Sequence, residues 1–164
     1  MLATPVDAIV FNLSSSQKLL HRILGGLKPA DFEHQPTPGA NCIGWIIGHL
    51  TISDRRALGR FGVTDLPAVP DGFEARFATT KAPAAEQTGY GDPTALVALF
   101  DAHRNRLIEA VRSADPAKLQ EPLETPHPLF GTKDEQLAFM GLHTTTHTGQ
   151  ISTIRRSLGY PPLM

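Results

Sequence analysis

Two histidines spaced four residues apart, His143 and His147, form the pattern in this chain that most directly suggests chemistry. They lie in the segment from Glu135 to Leu158, where apolar positions recur at spacings of three and four, as in an amphipathic helix that packs on other helices. The positions of this stripe are Leu137, Met140, Thr144, His147, Ile151, Ile154 and Leu158. Residues four apart rise from successive turns of one helix face, with Cβ atoms about 5–6 Å apart. Two imidazoles at that spacing can bind one metal ion, since each ring nitrogen then needs to lie about 2.0–2.1 Å from it.

The pair alone supplies two ligands, whereas a metal site needs at least three. Two histidines in one helix also fit an inert arrangement, in which one forms a hydrogen bond in the core and the other is half exposed. The choice between the two interpretations depends on whether the rest of the chain supplies a third ligand.

The composition is that of one ordinary domain, which we predict to span residues 1–164. A chain of this length can bury a substantial core without disulfides or structural metal. The 15 basic and 16 acidic side chains give a net charge of −1, so nothing in the charge favours nucleic acid as a partner. Cys42 is the single cysteine, the N-terminal segment lacks the pattern of a secretory signal, and no apolar run reaches the ~20 residues that cross a bilayer. These features predict a cytoplasmic protein with neither a membrane nor a nucleic-acid partner.

Four segments have helical periodicity, and each begins or ends at residues that favour helix termini. Asn41 is the expected cap of the second helix, and Thr132 with Glu135 forms a capping box for the fourth. The predicted helices run from Pro5 to Leu24, from Cys42 to Gly62, from Pro93 to a stop at Asp115 and Pro116, and from Thr132 to a stop at Gly159.

Two connections between these helices are long. Residues 62–92 show no sustained period, and such a connection in a compact domain is usually a lid, a binding loop or a crossover. Phe73, Phe77 and Tyr90 are its expected anchors on the bundle. Residues 115–131 contain four prolines and are predicted to be a surface loop with an exposed His127. With no strand pattern in the chain, the fold class is all-α, a four-helix bundle.

The second predicted helix offers a third ligand, His49, which lies next to the apolar stripe of that helix. If the second and fourth helices are neighbours and their histidines are level, His49, His143 and His147 form a set of three nitrogen ligands. Three protein ligands with further coordination positions open are typical of catalytic rather than structural sites. Imidazole suits zinc, nickel, copper or iron, so the ligands alone do not identify the metal.

At these positions the sequence resembles the DinB-like proteins, a large bacterial group of four-helix bundles. The run LKPADFEHQPTPGANCIGWIIGHL is similar to their entrance to the second helix. The run GLHTTTHTGQISTIRRSLG is similar to their fourth helix, with two histidines four apart, then glycine and glutamine, then a basic pair before the helix stop. The resemblance covers most of the chain and is weakest in the two long connections.

The resemblance implies that His49, His143 and His147 bind the metal, because the family ligands fall at these positions. It also implies an up-down-down-up bundle, with a long crossover from the second to the third helix, and a homodimer. Some relatives, notably the mycothiol-dependent maleylpyruvate isomerases, carry glutamate where this chain has His143.

Together the ligand set and the resemblance predict a divalent-metal-dependent enzyme with one zinc or nickel ion per chain and a small-molecule substrate. A thiol-dependent S-transferase acting on a low-molecular-weight thiol is our first interpretation, because characterised relatives act in that way. The alternatives are a metal-dependent hydrolase and a non-enzymatic metal-binding stress-response protein. A hydrolase would have to rely on metal-bound hydroxide or on a loop carboxylate such as Glu74, since no acidic residue is placed as a general base.

Six further residues are candidates to line the site or to support its ligands, because five of them lie about one turn from a ligand: Trp45, Ser53, His103, Phe139, Met140 and Gln150. The sixth, His103, falls on the stripe of the third helix. It fits a place beside the metal, but it also fits a core histidine bonded to a carbonyl. Arg155 and Arg156 are expected to form a solvated basic helix end.

Overall fold

The computed structural model describes residues 4–77 and 88–162. Within these ranges it contains six α-helices, one 3-10 turn and one two-stranded sheet. In chain order the elements are α1 (Pro5–Leu24), the 3-10 turn (Pro29–Glu33), α2 (Ile43–Arg60), α3 (Phe73–Phe77), α4 (Pro93–Arg112), α5 (Pro116–Leu119), β1 (Pro122–His127), β2 (Phe130–Thr132) and α6 (Lys133–Ser157). Of the helices described, none combines the length and the hydropathy that crossing a membrane requires.

The four long helices, α1, α2, α4 and α6, are the four that the sequence predicts, and two apolar clusters show how they run. The upper cluster combines the last turns of α1 and α6 with the first turns of α2 and α4, and includes Leu20, Ile46, Phe100 and Ile151. The lower cluster combines the opposite ends, and includes Leu13, Leu58, Leu107 and Leu137. Helices α1 and α6 are therefore parallel to each other and antiparallel to α2 and α4. This confirms the up-down-down-up bundle.

The helix termini follow the capping residues with one correction. At the start of α6, Thr132 and Glu135 form the predicted capping box, and Gly159 follows the helix with a φ of +84°, which suits glycine. The cap of α2 is Cys42 and not Asn41, since the Cys42 Sγ accepts a hydrogen bond from the Trp45 amide at 3.4 Å. The prediction favoured Asn41 because asparagine is a far commoner capping residue than cysteine.

The prediction of a surface loop for residues 115–131 was wrong in part, because the segment contains α5 and the hairpin of β1 and β2. The strands pair in antiparallel fashion with an irregular register between Pro122 and His127. Prolines hide such a strand from sequence analysis, since they cannot donate to the ladder and are tolerated only at a sheet edge or bulge. Leu123 and Phe130 are buried, while His127 is exposed as expected.

The described parts of the 62–92 connection are fixed to the bundle by the three residues predicted as its anchors. Phe73 and Phe77, at the two ends of α3, are buried in the upper cluster, and Tyr90 packs against that cluster. The Phe77 ring lies so close to α2 that a Cβ atom on Gly48 would be 2.3 Å from it. The connection therefore contacts α2 directly beside His49. Its residues 78–87 lie outside the described ranges.

Arg155 differs from the solvated residue that the sequence predicts. Its side chain is buried, and its Nη1 donates to the carbonyl oxygens of Ile23 and Gly25 at 2.9 and 2.8 Å. These carbonyls belong to the end of α1, where the helix has no further amides to bond them. Arg155 therefore links the ends of the parallel helices α1 and α6, which the sequence of one helix alone cannot indicate. Arg156 is exposed as expected.

Candidate metal centre

Three histidines from two helices converge between α2 and α6. His49 projects from α2, and His143 and His147 project from successive turns of α6. The His143 Nε2 lies 3.3 Å from the His49 Nε2 and 3.0 Å from the His147 Nε2. One ligand atom from each ring lies within 4.8 Å of the other two. The structure thus brings together the three residues that the sequence selected, and they can hold a metal ion.

The opposite nitrogens of two rings contact groups that orient them. The His49 Nδ1 lies 3.4 Å from the Phe77 carbonyl oxygen, which can only accept, so this nitrogen is assigned the proton. The His147 Nδ1 lies 2.8 Å from the Gln150 Oε1 and is assigned a proton in the same way. In both rings the Nε2 lone pair then points into the cluster. Such a pattern suits metal binding, because a ligating histidine usually donates its other N–H to a carbonyl or amide oxygen.

The environment keeps the three rings neutral. Burial, followed by the charge of His147, lowers the pKa of His49 from its ordinary value of 6.5 to about 4. Burial, followed by the charges of His147 and His49, lowers the pKa of His143 to about 3. The pKa of His147 is lowered too, again by burial, while its bond to Gln150 acts in the opposite direction. Neutral imidazole is the form that binds a metal, so the cluster is ready for an ion near neutral pH.

Aromatic rings flank the cluster on two sides. Trp45 stacks on His49 with ring centroids 4.8 Å apart, and Phe139 stacks on His143 at 5.8 Å. Phe139 in turn contacts Phe130 of the hairpin at 5.3 Å. The buried Trp45 Nε1 has no hydrogen-bond partner. The site therefore has apolar walls and an unpaired donor on the residue that stacks on a candidate ligand.

The remaining candidates divide into Gln150, which supports a ligand, and three residues whose described contacts lie elsewhere. Gln150 orients His147, as described above. The Ser53 hydroxyl donates to the His49 carbonyl at 2.8 Å, a bond within α2, and Met140 is a buried member of the lower cluster. His103 is fully buried, and its Nδ1 lies 2.7 Å from the Leu99 carbonyl oxygen, so it is a core histidine that does not join the cluster.

The acidic residue suggested for a hydrolase lies elsewhere. Glu74 accepts a hydrogen bond from the Arg55 Nε at 2.6 Å and is exposed on α3. In the part of the chain that the structure describes, no carboxylate belongs to the group of candidate ligands. Among the described residues, the group that could hold a metal ion therefore consists of three imidazole nitrogens.

A cavity of about 330 Å³ adjoins the centre on its outer side. It lies between the segment before α2 and the last turns of α6, lined by Pro36, Gly39, Ala40, Asn41, Gln150, Thr153 and Ile154. Its link to the cluster is Gln150, which contacts His147 at Nδ1, whereas the three candidate ligand atoms meet at the Nε2 side. This cavity is therefore not where a substrate would reach the metal.

Comparison with known proteins agrees with the fold. The model of a protein family described as the DinB superfamily matches residues 12–151. The chain belongs to the DinB superfamily. A crystal structure of a conserved protein from Enterococcus faecalis is similar to it with a TM-score of 0.71, covering 93% of this chain and 96% of that chain at 13% sequence identity. This likeness shows the shared fold. No curated protein sequence matches the chain.

Two residues of this DinB chain that sequence analysis missed lie in the core beside the candidate ligands. Asp54 of α2 and Arg104 of α4 are fully buried and form an ion pair, with Arg104 Nε and Nη2 donating to the two carboxylate oxygens at 2.7 and 2.9 Å. A signal was present, because each occupies an apolar position of its helix, with Leu50 and Leu58 four residues on either side of Asp54. Two opposite charges at core positions of different helices indicate a buried pair.

Acidifying the metal-free protein from about pH 6.5 to about pH 4 is expected to lower its free energy of unfolding. The pKa values of His49 and His143 are lower in the folded chain, about 4 and about 3, than their ordinary value of 6.5. The unfolded state therefore binds more protons in this interval, and stability rises with pH. Urea unfolding followed by circular dichroism at several pH values measures the slope. A His49→Gln/His143→Gln variant should have a smaller slope than the wild-type protein. Equal slopes for the two proteins would contradict the prediction.

Proposed function

We propose that this protein is a metal-dependent enzyme that binds one divalent transition metal per chain, zinc or nickel, through His49, His143 and His147. The observation that carries the proposal is the convergence of the three Nε2 atoms, with His49 and His147 oriented from behind by the Phe77 carbonyl and Gln150. Three ligands leave coordination positions open for a substrate. The neutrality of the three rings means that no proton has to be displaced from them near pH 7.

The reaction class that fits best is transfer to or from a low-molecular-weight thiol. An ion held by neutral imidazoles keeps its full positive charge and, when bound, stabilises a thiolate or hydroxide at neutral pH. Among the residues described, no carboxylate belongs to the group of candidate ligands. A thiol has an ordinary pKa of about 8.5 and water one of about 15.7, so a thiol loses its proton on the ion more readily without a general base, and this favours a thiol over an activated water. The apolar rings of Trp45 and Phe139 exclude water from two sides of the site.

In this proposal the residues of the chain bind the ion, orient its ligands and shield the site from water. His49, His143 and His147 would hold the ion, and Gln150 and the Phe77 carbonyl keep the rings of His147 and His49 in place. The bulk of the substrate would lie against the aromatic walls. Membership in the DinB superfamily supports a metal site here, and the activity itself rests on this geometry.

Elemental analysis tests the metal directly. Protein purified without chelators or a histidine tag is expected to contain about one zinc or nickel ion per chain, as a site with three protein ligands requires. A His49→Ala/His147→Ala variant should lose the ion and keep its helical circular dichroism, since the bundle has apolar clusters that fold without metal. His127→Ala serves as the matched control and should retain the ion.

If the wild-type chain binds no metal even when zinc or nickel is supplied, the proposed function is wrong. If metal binds, addition of a low-molecular-weight thiol to the cobalt-substituted protein distinguishes the reaction classes. A new near-ultraviolet charge-transfer band would indicate that the thiol coordinates the ion. No spectral change at millimolar thiol would contradict the thiol-transferase reaction.

A further inference from the structure

Arg104 joins all four long helices through one guanidinium group. Its five N–H bonds point to acceptors on α1, α2 and α6, while the residue itself belongs to α4. The acceptors are Asp54 Oδ2 at 2.7 Å and Oδ1 at 2.9 Å, Thr144 Oγ1 at 2.8 Å, Ser16 Oγ at 3.0 Å, Leu13 O at 3.3 Å and Met140 O at 3.4 Å. We call Ser16, Asp54, Arg104 and Thr144 the buried polar layer. All four are between 0% and 3% exposed, so water does not satisfy them.

The buried polar layer lies within about one and a half helical turns of the three histidines. Thr144 directly follows His143 in α6, and Asp54 is five residues, about one and a half turns, beyond His49 in α2. The layer also separates the two apolar clusters, since Asp54 lies between Leu50 of the upper cluster and Leu58 of the lower one. The hydrogen bonds of Arg104 therefore connect α2 to α6 directly beside His143 and about one and a half turns from His49.

We infer that Arg104, held by Asp54, is a positioning residue that fixes α2 against α6 and thereby sets the separation of His49 from His143 and His147. The inference rests on the proposed metal-binding function and assigns it two further residues. A planar guanidinium bound at several atoms fixes the orientation of its partners, whereas apolar side chains tolerate sliding of one helix on another. A metal site requires its ligands to be held within about 0.5 Å of the productive geometry.

Stability alone does not account for such a pair. Removing two charges from water costs about as much as their attraction returns, and apolar residues of similar size often stabilise a protein equally well. The hydroxyls of Ser16 and Thr144 already donate to carbonyls of their own helices, Leu13 and Met140, at 2.9 and 3.0 Å. Each hydroxyl proton is therefore already bonded within its own helix, and the hydroxyl oxygens only accept from Arg104. What an apolar replacement would lack is the fixed register between α2 and α6.

Three variants separate positioning from general stability. The double variant Asp54→Leu/Arg104→Met removes both charges together, so neither is left unpaired. Thr144→Val keeps the ion pair and removes the Arg104 bond to the α6 side chain, together with the bond of that hydroxyl to the Met140 carbonyl in its own helix. It provides a test if the double variant does not fold. Leu107→Ala is the matched control, because it removes apolar contacts of the lower cluster on α4 and leaves every member of the buried polar layer in place.

Two kinds of measurement report the arrangement of the three histidines. The first is zinc affinity, measured by competition with a chromophoric chelator, together with the visible spectrum of the cobalt-substituted protein. The double variant should bind zinc about 10–100-fold more weakly, as expected when a residue that supports a ligand is lost, and its cobalt spectrum should change. Thr144→Val should weaken binding about 2–10-fold, the equivalent of one hydrogen bond. Leu107→Ala should retain the affinity and the spectrum even though its melting temperature falls.

The second readout needs no metal. Nitrogen-15 NMR of the imidazole rings in the metal-free protein reports the contacts among the three Nε2 atoms, and these signals should shift in the double variant and stay in place in Leu107→Ala. A wild-type protein that binds neither zinc nor cobalt would overturn the proposed function, and the ring signals would still decide this inference. In a folded double variant, a zinc affinity within about twofold of wild type, or unchanged ring signals, would overturn the inference that Arg104 positions the histidines.

Discussion

Replacing Arg104 alone with methionine is expected to lower the free energy of unfolding by about 3–5 kcal/mol, because it leaves the buried Asp54 without its partner. Both side chains are at most 1% exposed, so water cannot take the place of the guanidinium. Without Arg104, burial would raise the pKa of Asp54 further, so the folded variant would hold a proton there and the loss should be smaller at pH 5 than at pH 8. Urea unfolding at both values measures the loss and its pH dependence.

The contrast with the double variant makes this prediction specific. Asp54→Leu/Arg104→Met leaves no buried charge and should recover most of the stability that Arg104→Met loses. A single variant as stable as the double variant, or a loss that does not depend on pH, would mean that Asp54 is not held as a carboxylate by Arg104. The comparison concerns stability alone and is independent of whether the protein binds metal.

The bundle could be predicted from sequence because its signals are local. Capping residues mark α1, α4 and α6, and a helix period of three and four runs between those ends. The hairpin of β1 and β2 was not predicted, because both strands are short and β1 contains prolines. Its burial comes from packing on α6. The burial of Arg155 was not predicted for a related reason. Its partners are carbonyls of α1, and a backbone carbonyl has no sequence signature.

The candidate ligands were also accessible to sequence analysis, but the groups that support them were accessible only in part. His143 and His147 share one helix, so their spacing fixes their proximity, and Gln150 lies one turn away on the same helix. His49 comes from another helix, and the resemblance rather than any spacing paired it with them. The carbonyl that contacts His49 belongs to Phe77, in a connection without periodicity, and no pattern could have selected it.

The Phe77 ring next to this carbonyl packs on Gly48. Gly48→Ala is expected to destabilise the protein by about 2–4 kcal/mol, since expulsion of a buried phenylalanine costs about 3–5 kcal/mol and the gain in helix propensity returns about 1. The added Cβ would lie 2.3 Å from the Phe77 ring, which is 2% exposed. Thermal unfolding followed by circular dichroism measures the loss.

The same substitution should weaken the metal site through the backbone. Displacing Phe77 moves the carbonyl that lies 3.4 Å from the His49 Nδ1, so His49 loses the group that directs its Nε2 toward His143. Zinc affinity should fall about 10–100-fold, as for other losses of a group that orients a ligand. Phe77→Leu removes the aromatic ring but keeps the backbone carbonyl. It should therefore change the stability of the protein more than its affinity for zinc.

Gly59→Ala is the matched control, because Gly59 lies in the same helix and a Cβ there would meet nothing within 4 Å. It should stabilise the protein by up to about 1 kcal/mol through the gain in helix propensity, and should leave zinc affinity unchanged. If Gly48→Ala behaved like Gly59→Ala in both measurements, Phe77 would not be fixed against α2. The connection would then support neither the fold nor His49, and Gln150 would be the remaining group that orients a candidate ligand.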